Sequence, residues 1–179
     1  SQGNTPEQEA NNFINQVKNY IQPGEVVVLD WEPVGTNPRP NNVDWARRWM
    51  QVVEPALGRL PWIYMNLSTA NGNNWGDIAS NNPLWVAHYP GNNTANGYNP
   101  VAHRGSVSDQ WRNIIAWQFT DKGKLTGYDG YLDLNLYYGQ ASENVGIPKV
   151  VSAAIPPMKE SDPYTTWTDG NGRSWRVCQ

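Results

Sequence analysis

The stretch that most constrains this chain is Glu25-Val26-Val27-Val28-Leu29-Asp30-Trp31-Glu32-Pro33. Four aliphatic residues without alternation predict a strand covered on both faces, as in a parallel sheet flanked by helices. Pro33 cannot donate to a sheet ladder, so the strand is expected to stop there. Alternation puts Val26, Val28, Asp30 and Glu32 on one face and Val27, Leu29 and Trp31 on the other. Two residues of strand rise separate the carboxylate-bearing carbons by roughly 6.6 Å. Like charges that close push one pKa upward, leaving one group as proton donor and the other ionised. Cleavage of a glycosidic bond needs such a pair. A strand-end cap or ion pair is the competing reading of an isolated Asp-x-Glu, so the rest of the chain decides.

Around this strand the sequence alternates helix and strand signals. Thr5-Pro6-Glu7-Gln8 has a capping Thr, Pro at the first helical position and Gln at the third. Ala10, Phe13, Ile14, Val17 and Ile21 follow at helical spacing, and Pro23-Gly24 ends the segment. Val43, Ala46, Met50, Val53 and Leu57 mark a second helix, with Gly58 as its stop. Further strands are expected at 62–66, 84–89, 114–119 and 132–136, with one short helix around 75–79. Residues 90–110 lack periodicity and read as a long loop, and residues 121–130 read as turn chemistry. Helix, short turn and buried strand in succession indicate an α/β fold. From Ile147 the character changes to a Pro-containing linker, then a hairpin in Trp167 to Trp175 around an Asp-Gly or Asn-Gly turn. Two parts are therefore expected, residues 1–146 and 147–179.

Composition narrows the function. The 179 residues carry a net charge of −3, which argues against a nucleic-acid partner. Ten Trp and nine Tyr in a polar chain suit stacking against sugar rings, although Trp45, Trp49 and Trp62 are better read as packing residues. No apolar run approaches the ~20 residues of a membrane span, so no membrane partner is expected. No leader pattern opens the chain, and export is expected to use another route or a segment outside it. The single cysteine, Cys178, excludes an internal disulfide framework. His88 and His103 have no further ligand at metal spacing, so neither metal nor cofactor is expected. No Gly-x-Ser-x-Gly elbow marks a hydrolase nucleophile.

The predicted strands end in polar residues: Asp30 and Glu32, Asn66, Tyr89, Gln118, and Asp133 with Asn135. In β/α barrels functional groups gather at the C-terminal ends of the strands. A carbohydrate-cleaving cleft and a sugar-binding module both fit that convergence. Val-Val-Leu-Asp-Trp-Glu-Pro, Trp-Ile-Tyr, Pro-Leu-Trp-Val-Ala-His-Tyr, Ala-Trp-Gln-Phe-Thr and Tyr-Leu-Asp-Leu-Asn-Leu-Tyr-Tyr-Gly occur in that order over residues 5–139. Together they resemble the strand motifs of family 25 glycoside hydrolases, the Chalaropsis-type muramidases common in phage endolysins. The resemblance implies an irregular, TIM-like β/α barrel that hydrolyses the β-1,4 bond from N-acetylmuramic acid to N-acetylglucosamine in bacterial peptidoglycan. It implies Glu32 as general acid, Asp30 as its acidic neighbour and Asp133 as a third active-site carboxylate. Tyr64, Tyr89, Trp117, Gln118 and Asn135 fall at cleft-lining, substrate-binding positions.

The chain also departs from that pattern. The family's opening Gly-x-Asp-x-Ser strand and two further β/α units are absent, so only the barrel portion from about the fourth strand onward is expected. The predicted strand at 26–32 would then lack a neighbour, and completion by a separate polypeptide or an N-terminal segment is expected. Action on the bacterial cell wall, outside the cytoplasm or in a phage virion, follows from the resemblance. The competing function is an inactive muramidase-like domain that binds cell wall or forms part of a phage particle. A chitinase-type barrel also has a strand ending Asp-Trp-Glu, but its upstream Asp-Gly-x-Asp is missing, since valines precede Leu29.

Overall fold

The computed structural model describes residues 4–22, 24–32, 42–91, 94–96 and 105–138, together with the backbone of 164–168 and 174–178. Two compact units divide the chain, Ser1–Lys149 and Val150–Gln179. The first is a mixed α/β unit and the second contains an antiparallel hairpin.

Helix α1 spans Pro6–Val17 and opens with the capping box that the sequence signals. The Thr5 hydroxyl accepts from Gln8 N–H at 3.2 Å, and the Gln8 side chain accepts from Thr5 N–H at 2.8 Å. The helix is a turn shorter than its apolar stripe suggests, since it ends at Val17 and Ile21 lies beyond it. Strand β1, Val28–Asp30, follows. Helix α2, Val43–Leu57, is capped by Asn42 at its start and by Gly58 in the left-handed region (φ 62°) at its end. Strand β2, Trp62–Asn66, then runs directly into α3, Leu67–Gly72. No apolar periodicity announces α3; it forms because Asn66 Oδ1 accepts from Thr69 N–H at 2.8 Å as an N-cap. Asn66 is therefore committed to a cap, which explains a polar residue at that strand end. Helix α4 (Asp77–Asn81), β3 (Leu84–Ala87) and the two-residue β4 (Ala95–Asn96) follow. Strand β5, Ile114–Lys124, continues well into the stretch expected to turn, and β6 spans Leu132–Tyr137.

Six strands form one sheet in the order β1-β2-β3-β5-β4, with β6 also on β5. All pairings are parallel except β5 with β6. Residues in register share a face of the sheet. One face carries Leu29, Ile63 and Leu84, and also Met65, Val86, Trp117 and Leu136. These residues join one core with α1 and α2, including Ala10, Ala46, Trp49 and Val53. Trp31 is buried there, 5.7 Å from Trp45 and 6.2 Å from Trp75 between ring centroids. Phe13 meets Trp49 at 5.3 Å, and Arg48 grips Glu7 with two hydrogen bonds of 2.8 and 2.9 Å, so α1 and α2 pack side by side. The opposite face carries Val28, Asp30, Trp62, Tyr64, Trp85, Gln118 and Asn135. This corrects the expectation that the strand at 26–32 is buried on both faces: Val27, Leu29 and Trp31 are buried, whereas Val26, Asp30 and Glu32 are exposed. The unbroken run of valines reflects an apolar sheet edge rather than two covering layers.

In the second unit, β7 (Tyr164–Thr168) pairs antiparallel with β8 (Ser174–Cys178), with Trp167 opposite Trp175. The Asp-Gly-Asn-Gly turn expected between them, and the linker that precedes them, lie outside the described residues.

Gly123 marks the tightest approach in the sheet. A Cβ there would lie 2.4 Å from Leu134 Cγ and 2.7 Å from the Leu132 carbonyl oxygen. Because the second contact is backbone, Gly123→Ala is expected to push β6 off β5 and cost about 1–3 kcal/mol, as overpacking does. Chemical denaturation of the variant measures this, and an unchanged midpoint would contradict the packing described.

Candidate active site

Alternation along β1 sorts three consecutive side chains. The Trp31 side chain turns into the helix-covered core, while its backbone N–H donates to the Tyr64 carbonyl at 2.8 Å. Asp30 and Glu32 are thereby turned the other way. They line a cleft of about 320 Å³ with Val28, Tyr64, Trp85, Gln118, Asp133 and Asn135. Five strands contribute: β1 supplies Val28 and Asp30, with Glu32 just beyond its end, β2 Tyr64, β3 Trp85, β5 Gln118, and β6 Asp133 and Asn135.

The wall of the cleft is held by hydrogen bonds between strands. Tyr64 Oη and Tyr89 Oη each donate to Gln118 Oε1 at 2.5 Å, which joins β2, the segment after β3, and β5. Trp85 Nε1 donates to Asn135 Oδ1 at 2.9 Å, which joins β3 to β6. The Trp85 ring stands edge-on to Tyr64 with centroids 5.2 Å apart. On the same face, Trp62 stacks with the exposed Tyr137 at 6.2 Å.

This setting shifts the titrating groups. Partial burial against the aromatic wall pushes the Asp30 carboxyl above its ordinary value. Glu32 is also pushed up, first by burial, then by the charges of Asp30 and Asp133. Glu32 is therefore the carboxyl that feels both neighbours, and protonating it relieves the repulsion in the cleft. Burial likewise raises the Tyr64 phenol, helped by the neighbouring Tyr89 hydroxyl and by the nearby carboxylates. Burial raises Tyr89 as well, although the neighbouring Tyr64 hydroxyl works in the opposite direction. Both phenols remain hydroxyl donors around neutral pH.

Seven of the eight residues singled out from the sequence meet here: six line the cleft, and Tyr89 reaches it through Gln118. Trp117 is the exception and requires a correction. It is adjacent to Gln118 on a strand, so it faces the opposite side, buried in the core with its Nε1 donating to the His88 carbonyl at 2.8 Å. Trp85 was not singled out and belongs to the cleft. Its signal was present, since Trp85 and Tyr89 lie four residues apart at the end of an apolar run. Arranged this way, the cleft can place two or three carboxyl groups against one ligand between aromatic walls.

Known proteins resemble this chain over most of its length. The Escherichia coli K12 protein YegX is 27% identical over 128 residues, covering 72% of this chain and 42% of YegX. The Clostridium perfringens spore cortex lytic enzyme SleM superposes with a TM-score of 0.54 at 25% identity, covering 93% of this chain and 51% of SleM. The muramidase from Acremonium alcalophilum superposes with a TM-score of 0.53 at 20% identity, covering 78% and 64% of the two chains. The chain thus spans about two fifths of the curated relative and roughly half to two thirds of these solved structures. The family model for glycosyl hydrolases family 25 matches residues 1–128, and the chain belongs to that family.

Proposed function

We propose that this chain carries the acid–base centre of a muramidase, which hydrolyses the β-1,4 bond between N-acetylmuramic acid and N-acetylglucosamine in bacterial peptidoglycan. The observation that supports this best is the convergence of Asp30, Glu32 and Asp133 on one aromatic-walled cleft of a family 25 sheet. Glu32 is the proton donor, because burial and two like charges favour its protonated form. Asp30 is its ionised partner and acts on the reaction centre or on the substrate's N-acetyl group. Asp133 is a third carboxylate whose charge helps to keep Glu32 protonated. Tyr64, Gln118, Asn135 and Tyr89 shape the sugar subsite. The reaction needs no cofactor in this scheme. The site of action is the cell wall, outside the cytoplasm, and an endolysin or virion-associated lysozyme is one setting for such an activity.

The sheet also supports a reading of how the cleft is completed. The backbone N–H of Trp62 donates to the Val27 carbonyl and that of Trp31 to the Tyr64 carbonyl, both at 2.8 Å, so the peptide groups of residues 27 and 31 face β2. By alternation the peptide groups of Val28 and Asp30 point away from it, and no strand pairs with them among the described residues. Beside that edge lies an apolar groove of about 550 Å³ lined by Phe13, Val17, Tyr20, Ile21 and Val26 to Val28. An open apolar edge next to a groove invites a further strand and its helix. In this reading a preceding segment, or a separate polypeptide, adds β/α units there and closes a barrel. The longer relatives favour it, since this chain covers well under their full length. The same observation favours the second reading, in which the chain alone is an inactive wall-binding domain.

Two measurements test these readings. In the full-length protein, Glu32→Gln is expected to lower the rate of peptidoglycan solubilisation by ~10²–10⁴-fold, the usual worth of a general acid. Because both pKa values are raised, activity should fall as pH drops through that of Asp30 and as pH climbs through that of Glu32. Asp30→Asn should erase the acid limb, and it should move the alkaline limb downward by removing a charge that raises Glu32. A Glu32→Gln variant with full activity would reject the assignment. For the edge, residues 1–179 expressed alone are expected to self-associate or unfold without a cooperative transition, and to be inactive. A monomeric, cooperatively folded and fully active product would show that nothing needs to be added at β1.

A further inference from the structure

The cleft contains a carboxamide whose orientation is dictated by two hydroxyls. Gln118 is 4% exposed, and Tyr64 and Tyr89 both donate to its Oε1 at 2.5 Å. That distance fits O–H···O bonds, about 2.5–3.0 Å, and is too short for N–H···O bonds, about 2.7–3.2 Å. The oxygen is therefore the atom between the two phenols. Both phenols have raised pKa values, so both keep the proton they donate. A carbonyl oxygen has two lone pairs, and two donors saturate it. Its Nε2 has no acceptor among the described residues, while the side chain lines the cleft. The other carboxamide of the cleft is engaged within the wall: Asn135 accepts from Trp85 at 2.9 Å and donates to the Asp133 carbonyl at 3.4 Å.

Nε2 is thus a donor in the cleft wall without a protein acceptor among the described residues, so an acceptor on a ligand can meet it. Its neighbours define that ligand. The carboxylates of Asp30 and Asp133 can each accept from sugar hydroxyls, but they repel an oxygen that is only an acceptor, and Glu32 commits its proton to the glycosidic oxygen. The carbonyl oxygen of an acetamido group is such an atom, and a neutral N–H donor suits it.

We propose that Gln118 is a specificity-determining residue that donates from Nε2 to the acetamide carbonyl oxygen of an N-acetylated sugar. Tyr64 and Tyr89 are positioning residues that hold the amide in this sense. The inference rests on the reading of the cleft as a wall-glycan site. It makes the cleft discriminate N-acetylated from de-N-acetylated glycans, because a free amine is protonated and offers Nε2 nothing to bond.

The test measures binding of tri-N-acetylchitotriose and of its de-N-acetylated counterpart, by calorimetry, to the full-length protein carrying Glu32→Gln to block turnover. The N-acetylated trisaccharide is expected to bind about 10-fold more tightly, the worth of one hydrogen bond. Tyr64→Phe and Tyr89→Phe should each keep most of that preference, since the remaining hydroxyl still holds Oε1. The double variant frees the amide to turn over and should lose the preference, more than the single effects combine to give. Gln118→Glu, nearly the same shape, should reverse it by favouring the ammonium form. A merely structural role would weaken both sugars alike and leave their ratio unchanged in every variant; that result overturns the proposal. If the protein with native Glu32 solubilises peptidoglycan yet the two trisaccharides bind equally, the proposal alone fails. If it neither solubilises peptidoglycan nor binds either sugar, the wall-glycan reading fails and the proposal with it.

Discussion

The burial of Trp31 organises the functional face of this molecule. Its ring sits against Trp45 and Trp75, in a core that reaches α1, α2 and the sheet. Losing a buried tryptophan costs about 3–5 kcal/mol, a large share of a domain's net stability. The side chain therefore cannot turn outward, and strand alternation leaves Asp30 and Glu32 no other direction than the opposite face. The fold's apolar core and its acidic cleft are two consequences of the same alternating strand. A one-residue slip of β1 against β2 would exchange them, burying carboxylates and exposing an indole.

Gathering acidic groups beside aromatic rings opposes stability, since burial and like charge both disfavour ionisation of Glu32. The surrounding wall limits that cost with neutral groups. Tyr64, Tyr89 and Gln118 tie three segments together through hydroxyl-to-carbonyl bonds, and Trp85 with Asn135 ties a fourth. None of these side chains places a countercharge next to the carboxyls, which would lower their pKa values. Rigidity in the cleft thus comes from neutral hydrogen bonds, and the raised pKa of Glu32 is left intact for proton donation.

Much of this was legible in the sequence where local rules and global packing agree. The capping box at Thr5, the stop at Gly58 and strand 62–66 follow from local chemistry alone, and the structure places them at the expected residues. The facing of Asp30 and Glu32 followed from period two. Trp117 was misjudged because a family motif names neighbouring residues together, whereas a strand sends neighbours to opposite faces. Helix α3 left no periodic trace because its six residues are started by a single cap. Burial of residues 26–32 was misread because an apolar run records only that residues avoid water, not what covers them. The register between β5 and β6, which brings Asn135 opposite Gln118, depends on the irregularities near Thr120 and Gly123 and has no signature in the residues themselves.

The cleft raises the Glu32 pKa first through burial and then through the charges of Asp30 and Asp133. Carbon-13 NMR titration of the Glu32 side-chain carboxyl measures it directly, in the full-length protein and in its Asp30→Asn variant. A midpoint above the ordinary glutamate value is expected, and a lower midpoint once the Asp30 charge is removed. A Glu32 carboxyl that titrates at or below the ordinary value, and does not respond to Asp30→Asn, would contradict it.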